Sequence, residues 1–336
     1  MTSTMLSSIL LAQGGEAEMR GDLVDALAAY SAAVSDPDPH VVAEATFRLG
    51  RVAWRQARYD DALHYYGRAA ALAAQIGDAD VRASATNGIG AIHCERGDYA
   101  AARATYQGAL ELATSDTLRA KVLLNLGVIA NIQGDWSEAL ELYDRAAAML
   151  EQGEGEAGLA LALHNKAMLL ADRRDWDAAE ETFARCLAAC ERTGDRQTMA
   201  NVLLNRAELL CGRGHPAAAL ESCEQAMSHF LELGDAVGRA EALRWMARAL
   251  ADTGDRAAAV QRLREGVRSA ARLQRPLLEA ECSRDLGAIA LDESDLTEAR
   301  RWLTRALDRF VSLGAARDAA EVREMLARVQ ERAPRS

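Results

Sequence analysis

One arrangement of small and apolar positions recurs along this 336-residue chain: a short turn resembling Gly-Asp, then Ala, usually followed by Leu. The marker alanines are Ala26, Ala62, Ala102, Ala139, Ala179, Ala219, Ala259 and Ala299, in steps of 36, 40, 37, 40, 40, 40 and 40. Twelve residues before each marker stands a small residue: Gly14, Gly50, Gly90, Gly127, Ala167, Ala207, Ala247 or Gly287. Four residues after it stands a larger one: Tyr30, Tyr66, Tyr106, Tyr143, Phe183, Cys223, Leu263 or Leu303. A small residue lets two helices approach and a bulky one fills the space their crossing leaves. Each unit is therefore expected to be a helix, a tight turn and a second helix. The units fall at 8–38, 40–78, 80–115, 117–153, 157–194, 197–234, 237–275 and 277–314. Val322, Met325, Leu326 and Val329 then place a last amphipathic helix over 316–332, covering the exposed final face.

Composition agrees with helix throughout. Half the residues are hydrophobic, only 5% are aromatic and there are 5 Pro, so no segment reads as the core of a sheet and the fold class is all-α. Length alone would allow two or three domains. The unbroken register instead predicts one array over 1–336 with no internal boundary.

An apolar residue followed by Gly, then Ala, then an aromatic four residues later resembles the tetratricopeptide repeat (TPR), and the likeness extends over about residues 8–312. That resemblance implies a right-handed superhelical solenoid of helix-turn-helix repeats with a concave groove. It also implies a non-enzymatic scaffold or adaptor that binds a protein or peptide. The period is mostly 40 against the roughly 34 of the standard unit, which adds about 9 Å of helix shared between the two arms. Long repeats of this kind resemble those of the Pins/LGN polarity adaptors, kinesin light chains and bacterial MalT and Rap regulators. The last two imply an alternative: a sensory module in which ligand or peptide binding alters the superhelix and controls a partner such as a transcription regulator. The Pro that often closes a standard repeat is replaced by loops such as Gly77-Asp78, Gly194-Asp195 and Gly234-Asp235. Gly14 and Gly15 would each cost the first helix about 1 kcal/mol relative to Ala, which suits an atypical capping repeat.

Fifty acids against 39 bases give a net charge of −11, which argues against a surface built to neutralise phosphates. RNA recognition by a pentatricopeptide-like array is disfavoured for the same reason and by the 40-residue period. The charge is uneven: nine Arg and five acids give residues 300–336 a net +4, leaving −15 on residues 1–299. The apolar run at 5–12 is too short to span a bilayer, and no basic residue precedes Arg20. Six scattered Cys in a long helical chain do not form a disulfide framework. A cytoplasmic protein with reduced thiols, no membrane segment and no cofactor is expected.

Several motifs imitate chemistry. Residues 153–158 satisfy GxGxxG but follow a helix and carry acids, so they are expected to form a loop between repeats. Cys186 and Cys190 lie one turn apart, yet Cys186 falls where the repeat wants a small buried residue and Cys223 fills the bulky core slot, so core thiols are expected instead of ligands. His40, His64, His93, His164, His215 and His229 make no ligand spacing, and no nucleophile elbow occurs. Tyr59, Tyr99, Trp136 and Trp176 share one position just after the turn and are expected to be core wedges.

The remaining face of the first helix of each unit carries its own pattern. Asn125, Asn165 and Asn205 lie 40 residues apart, and Asn87 lies on the first helix of the preceding unit. Asn is a poor interior helix residue, and its carboxamide can pair with a peptide N–H and C=O together. The resemblance implies an asparagine ladder facing the groove. The competing reading is that these amides bond to a neighbouring helix or face water. One and two turns along come Lys121, Val128, Ile132, Met168 and Glu208 in the centre, with Arg48, Arg51 and Arg55 on one flank and Arg244, Trp245 and Arg248 on the other. The expectation is an apolar and amide floor between basic walls, holding a peptide that carries acidic groups.

Overall fold

The computed structural model describes residues 3–151 and 156–332. The GxGxxG residues 153–155 lie outside them. The described residues form seventeen helices and no strand. Eight helices are the first, or A, arms of the units: α1 (Ser3–Met19), α3 (Pro39–Arg55), α5 (Ala79–Glu95), α7 (Asp116–Ile132), α9 (Glu156–Asp172), α11 (Arg196–Gly212), α13 (Ala236–Thr253) and α15 (Pro276–Asp292). Their B arms are α2 (Leu23–Ala33), α4 (Tyr59–Ile76), α6 (Tyr99–Leu112), α8 (Trp136–Glu151), α10 (Trp176–Thr193), α12 (Pro216–Glu232), α14 (Arg256–Arg272) and α16 (Leu296–Ser312). A final helix, α17 (Ala316–Arg332), lays Ala319, Val322 and Val329 against Leu303 and Phe310 of α16.

The Gly-Asp signal has two separate physical causes. Its first residue adopts a left-handed backbone in every unit, with φ of 78° at Gly21, 76° at Gly97 and 95° at Gly254. Its second caps the B helix: Asp22, Asp98, Asp255 and Asp295 each accept a hydrogen bond from a backbone N–H three residues on. Such a cap is worth about 1 kcal/mol. Where the sequence departs from Gly, the backbone does not follow: Ala57, Arg174 and Ser294 hold φ of 57°, 62° and 62°.

All eight marker alanines are fully buried. The small residue of each A helix lies against the bulky residue of its B helix. A methyl placed on Gly50, Gly90 or Gly127 would come within 2.6, 2.6 and 2.5 Å of the ring of Tyr66, Tyr106 and Tyr143, respectively. Gly14 faces the Tyr30 ring in the same way, so its cost to α1 is offset by the close helix approach it permits. Trp136 departs from its expected role as a core wedge, being 47% exposed at the start of α8. Cys186 and Cys190 are fully buried in α10.

The chain packs as two compact units, residues 1–169 and 170–336, while the alanine register runs unchanged through the division. Within the first unit α1, α3, α5 and α7 touch in succession, and within the second α11, α13, α15 and α17 do so. No two B helices of one unit touch among the described residues. Closer packing on the A side places the A helices on the inner curve of each unit. No helix among the described residues is long and apolar enough to cross a membrane.

Candidate functional site

In the first unit, much of the expected groove chemistry is already satisfied within the chain. Asn125 of α7 donates its side-chain N–H to the carbonyl oxygen of Asn87 on α5 at 2.9 Å. Arg48 is paired with Glu44 one turn away. Arg51 and Arg55 converge on Glu18 of α1, which is only 6% exposed. Arg51 Nε donates to Glu18 at 3.0 Å, the Tyr30 hydroxyl donates to it at 2.7 Å, and Arg55 Nη1 donates to its backbone carbonyl at 3.0 Å. Burial alone would raise the Glu18 carboxyl. The hydrogen bonds from Arg51 and Tyr30 and the charges of Arg51 and Arg55 outweigh it and hold the group below its ordinary value. Glu18 thus ties α1 to α3 through the two arginines and to α2 through Tyr30. Lys121 is exposed on α7, Val128 is half-buried beside it, and Asn165 and Met168 are half-buried on α9.

The second unit contains a pocket of about 570 Å³ along α11, α13 and α15. Leu204, Trp245, Leu277 and Leu278 supply its apolar lining and Asn205 its amide. Glu208, Glu241 and Glu281 bring three carboxylates to it, against Arg244 and Arg275. Arg244 is largely consumed by its own chain: its Nε donates to Asp285 at 2.9 Å, Glu281 lies 3.4 Å from its Nη1, and its guanidinium stacks 4.9 Å from the centre of the Trp245 ring. Glu208 and Glu241 carry no ion pair among the described residues. Burial pushes both carboxyls up, only partly countered by Arg244 for Glu208 and by Arg275 and Arg244 for Glu241, and Glu281 is raised for the same reason. Arg248 lies on the same helix but pairs with Asp252 at 3.1 Å.

Asn205, Arg244 and Trp245 are therefore brought into one pocket, whereas Arg48, Arg51, Arg55 and Asn87 are spent on contacts within the first unit. Sequence reasoning did not single out Glu18, Glu281 or Asp285. A signal for Glu18 existed in Arg51 and Arg55, spaced one turn apart, a motif repeated where Arg305 and Arg309 meet buried Glu279 at 2.7 and 3.3 Å. No group of three or more His, Cys, Asp or Glu placed to hold a metal occurs among the described residues.

Paired helices stacked on a buried alanine register, with a lined pocket along successive A arms, define a helical-repeat binding scaffold. Family models described as tetratricopeptide repeat match residues 81–152, 158–226 and 246–312, more than half the chain. The chain belongs to the tetratricopeptide repeat family. No curated protein matches its sequence significantly. Among solved structures it resembles a STAND protein with a tetratricopeptide repeat sensor from Pyrococcus horikoshii, with a TM-score of 0.74 at 12% identity, covering 96% of this chain and 49% of that one. It also resembles a Rap protein complexed with competence and sporulation factor, with a TM-score of 0.62 at 13% identity, covering 98% of both chains. Aspartyl phosphate phosphatase F from Bacillus subtilis scores 0.62 at 11% identity, covering 81% of this chain and 70% of that one. At these identities the likeness is one of fold.

Proposed function

We propose that this chain is a non-enzymatic interaction module that receives a segment of a partner polypeptide in the pocket along α11, α13 and α15. The observation that carries the reading is the lining itself: an apolar floor around Trp245, the amide of Asn205, and the carboxylates of Glu208 and Glu241 without partners of their own. Asn205 is suited to bond a peptide backbone, the role the ladder assigns to it. Asn87 and Asn125 form an amide pair in the first unit, which a ligand there would have to open or extend. The acidic peptide expected from the arginines is less well supported here, because Arg48, Arg51, Arg55 and Arg244 already face carboxylates. An anchor Lys or Arg of the partner, with its stem on Trp245 and its charge toward Glu208 and Glu241, fits the pocket better.

The test is a peptide array in which each position is varied through Lys, Glu and Leu, probed with the wild type, Trp245→Ala and Asn205→Ala. Retention of Lys- or Arg-bearing peptides, lost in Trp245→Ala while the helical circular dichroism holds, supports the reading. Retention independent of both residues overturns it.

A regulatory form of the same function draws support from the likeness to a repeat sensor and to a Rap protein complexed with competence and sporulation factor. A peptide found on the array should then change the radius of gyration by small-angle scattering. An unchanged radius leaves a static adaptor.

A further inference from the structure

Helices α14 and α16 carry a second groove, separate from the pocket above, of about 570 Å³. Arg264 and Arg268 line it from α14, and Arg301, Trp302 and Arg305 from α16, with Val267 as further apolar lining. No acid lines it. Trp302 is only 9% exposed and its Nε1 donates to Glu298 at 2.9 Å, which fixes the indole. Arg301 and Arg305 lie over that ring, 5.3 and 5.9 Å from its centre. Glu298 is shared by Arg301 at 3.1 Å and Arg264 at 3.7 Å, while buried Glu279 is shared by Arg305 and Arg309. Two carboxylates thus serve four guanidinium groups, and a fifth, that of Arg268, is exposed with no ion pair among the described residues. The same helix α14 holds five Arg and one Glu, on a chain whose net charge is −11.

We propose that this groove docks an acidic segment of a partner polypeptide. The Arg264/Arg268 and Arg301/Arg305 pairs each present two forks about 6 Å apart along a helix. Alternate residues of an extended segment are about 6.6 Å apart, so successive acidic side chains can meet successive forks. Planar guanidinium groups bind carboxylates through two parallel bonds, and a surplus of forks already held by stacking loses little freedom on binding. A nucleic acid fits less well. The Trp302 face is covered by two guanidinium groups and offers no platform for a base, and beyond the groove a long polyanion meets an acidic chain. The inference does not depend on the pocket at Trp245.

Three fluorescein-labelled probes of equal length test it by anisotropy on the full chain: a peptide of alternating Glu and Ser, one of alternating Lys and Ser, and oligothymidylate. The Glu peptide is expected to bind, to weaken as salt rises, and to bind at least about tenfold more weakly to Arg264→Gln/Arg268→Gln. Arg20→Gln/Arg68→Gln, two exposed arginines of the first unit, should leave binding unchanged. The emission shift on adding the Glu peptide should vanish in Trp302→Phe. Failure of the Glu peptide to bind the wild type, equal loss in both double variants, or tighter binding of oligothymidylate that depends on Arg264 and Arg268 would overturn the proposal.

Discussion

Asn125 and Asn87 are 38 residues apart in sequence and share a side-chain hydrogen bond of 2.9 Å between neighbouring A helices. The bond accounts for two Asn residues in the interior of helices, where the amide otherwise competes with the backbone. Each side chain is half-buried, so losing one partner leaves the other without a bond in poorly solvated surroundings. Asn125→Ala should cost about 1 kcal/mol in urea unfolding, and Asn87→Ala in the Asn125→Ala background should cost clearly less than it does alone. Additive losses would show that the two amides act separately.

Gly90 and Tyr106 are a second such relationship. A methyl on Gly90 would sit 2.6 Å from the ring, and neither helix can withdraw without opening the packing around the buried Ala102. Gly90→Ala should therefore destabilise by about 1–3 kcal/mol despite its better helix propensity. The seventh unit shows the remedy, with Ala247 and Leu263 packed in one cluster. Gly90→Ala/Tyr106→Leu should recover part of the loss, measured as the urea midpoint. A double variant no better than Gly90→Ala would refute this size matching.

Most of the fold was legible because this packing rule leaves a period in the sequence. Left-handed turns, caps and helix crossings each demand a residue type at a fixed place, and eight repetitions lift them above chance. The candidate site was less legible because ion pairs join residues on different repeats. Arg51 and Arg244 read as free basic walls: the one-turn spacing of Arg51 and Arg55 hints at a shared acid, but it does not single out Glu18, 33 residues away, and nothing local points to Asp285, 41 residues from Arg244. The exposed Trp136 was misread for a related reason. Its position in the repeat is fixed, but its burial depends on the side chains that neighbouring helices bring to it.

The turns offer a gain in stability. Ala57, Ser294 and Gln274 hold φ of 57°, 62° and 53°, conformations that cost a side-chain-bearing residue about 1 kcal/mol or more. Gly at these places removes that strain, offset in part by greater freedom of the unfolded chain. Ala57→Gly and Gln274→Gly should each raise stability by up to about 1 kcal/mol, while Gly254→Ala should lower it by a similar amount. Melting temperatures that move in the opposite direction would mean the turns relax to negative φ when given the choice.

Glu18 and Glu241 respond to pH in opposite directions. Glu18 is held below its ordinary value of 4.5, so its ionised form stabilises the fold. That contribution is present above pH 4.5 and is lost as the pH falls through the lowered folded value. Glu18→Gln removes bonds to Arg51 from a buried site and should cost about 2 kcal/mol at pH 7, with the difference from wild type shrinking in acid. Glu241 is raised instead, so its ionised form opposes folding. Its favourable contribution is present below pH 4.5 and is lost as the pH rises through the raised folded value. Glu241→Gln should therefore increase the melting temperature at pH 7 and have little effect near pH 4. If Glu241 helps hold a basic anchor, the same variant must also bind Lys-bearing peptides more weakly at pH 7, giving up affinity for stability. A Glu241→Gln protein that is more stable at neutral pH yet binds such peptides unchanged would remove this carboxylate from the recognition surface.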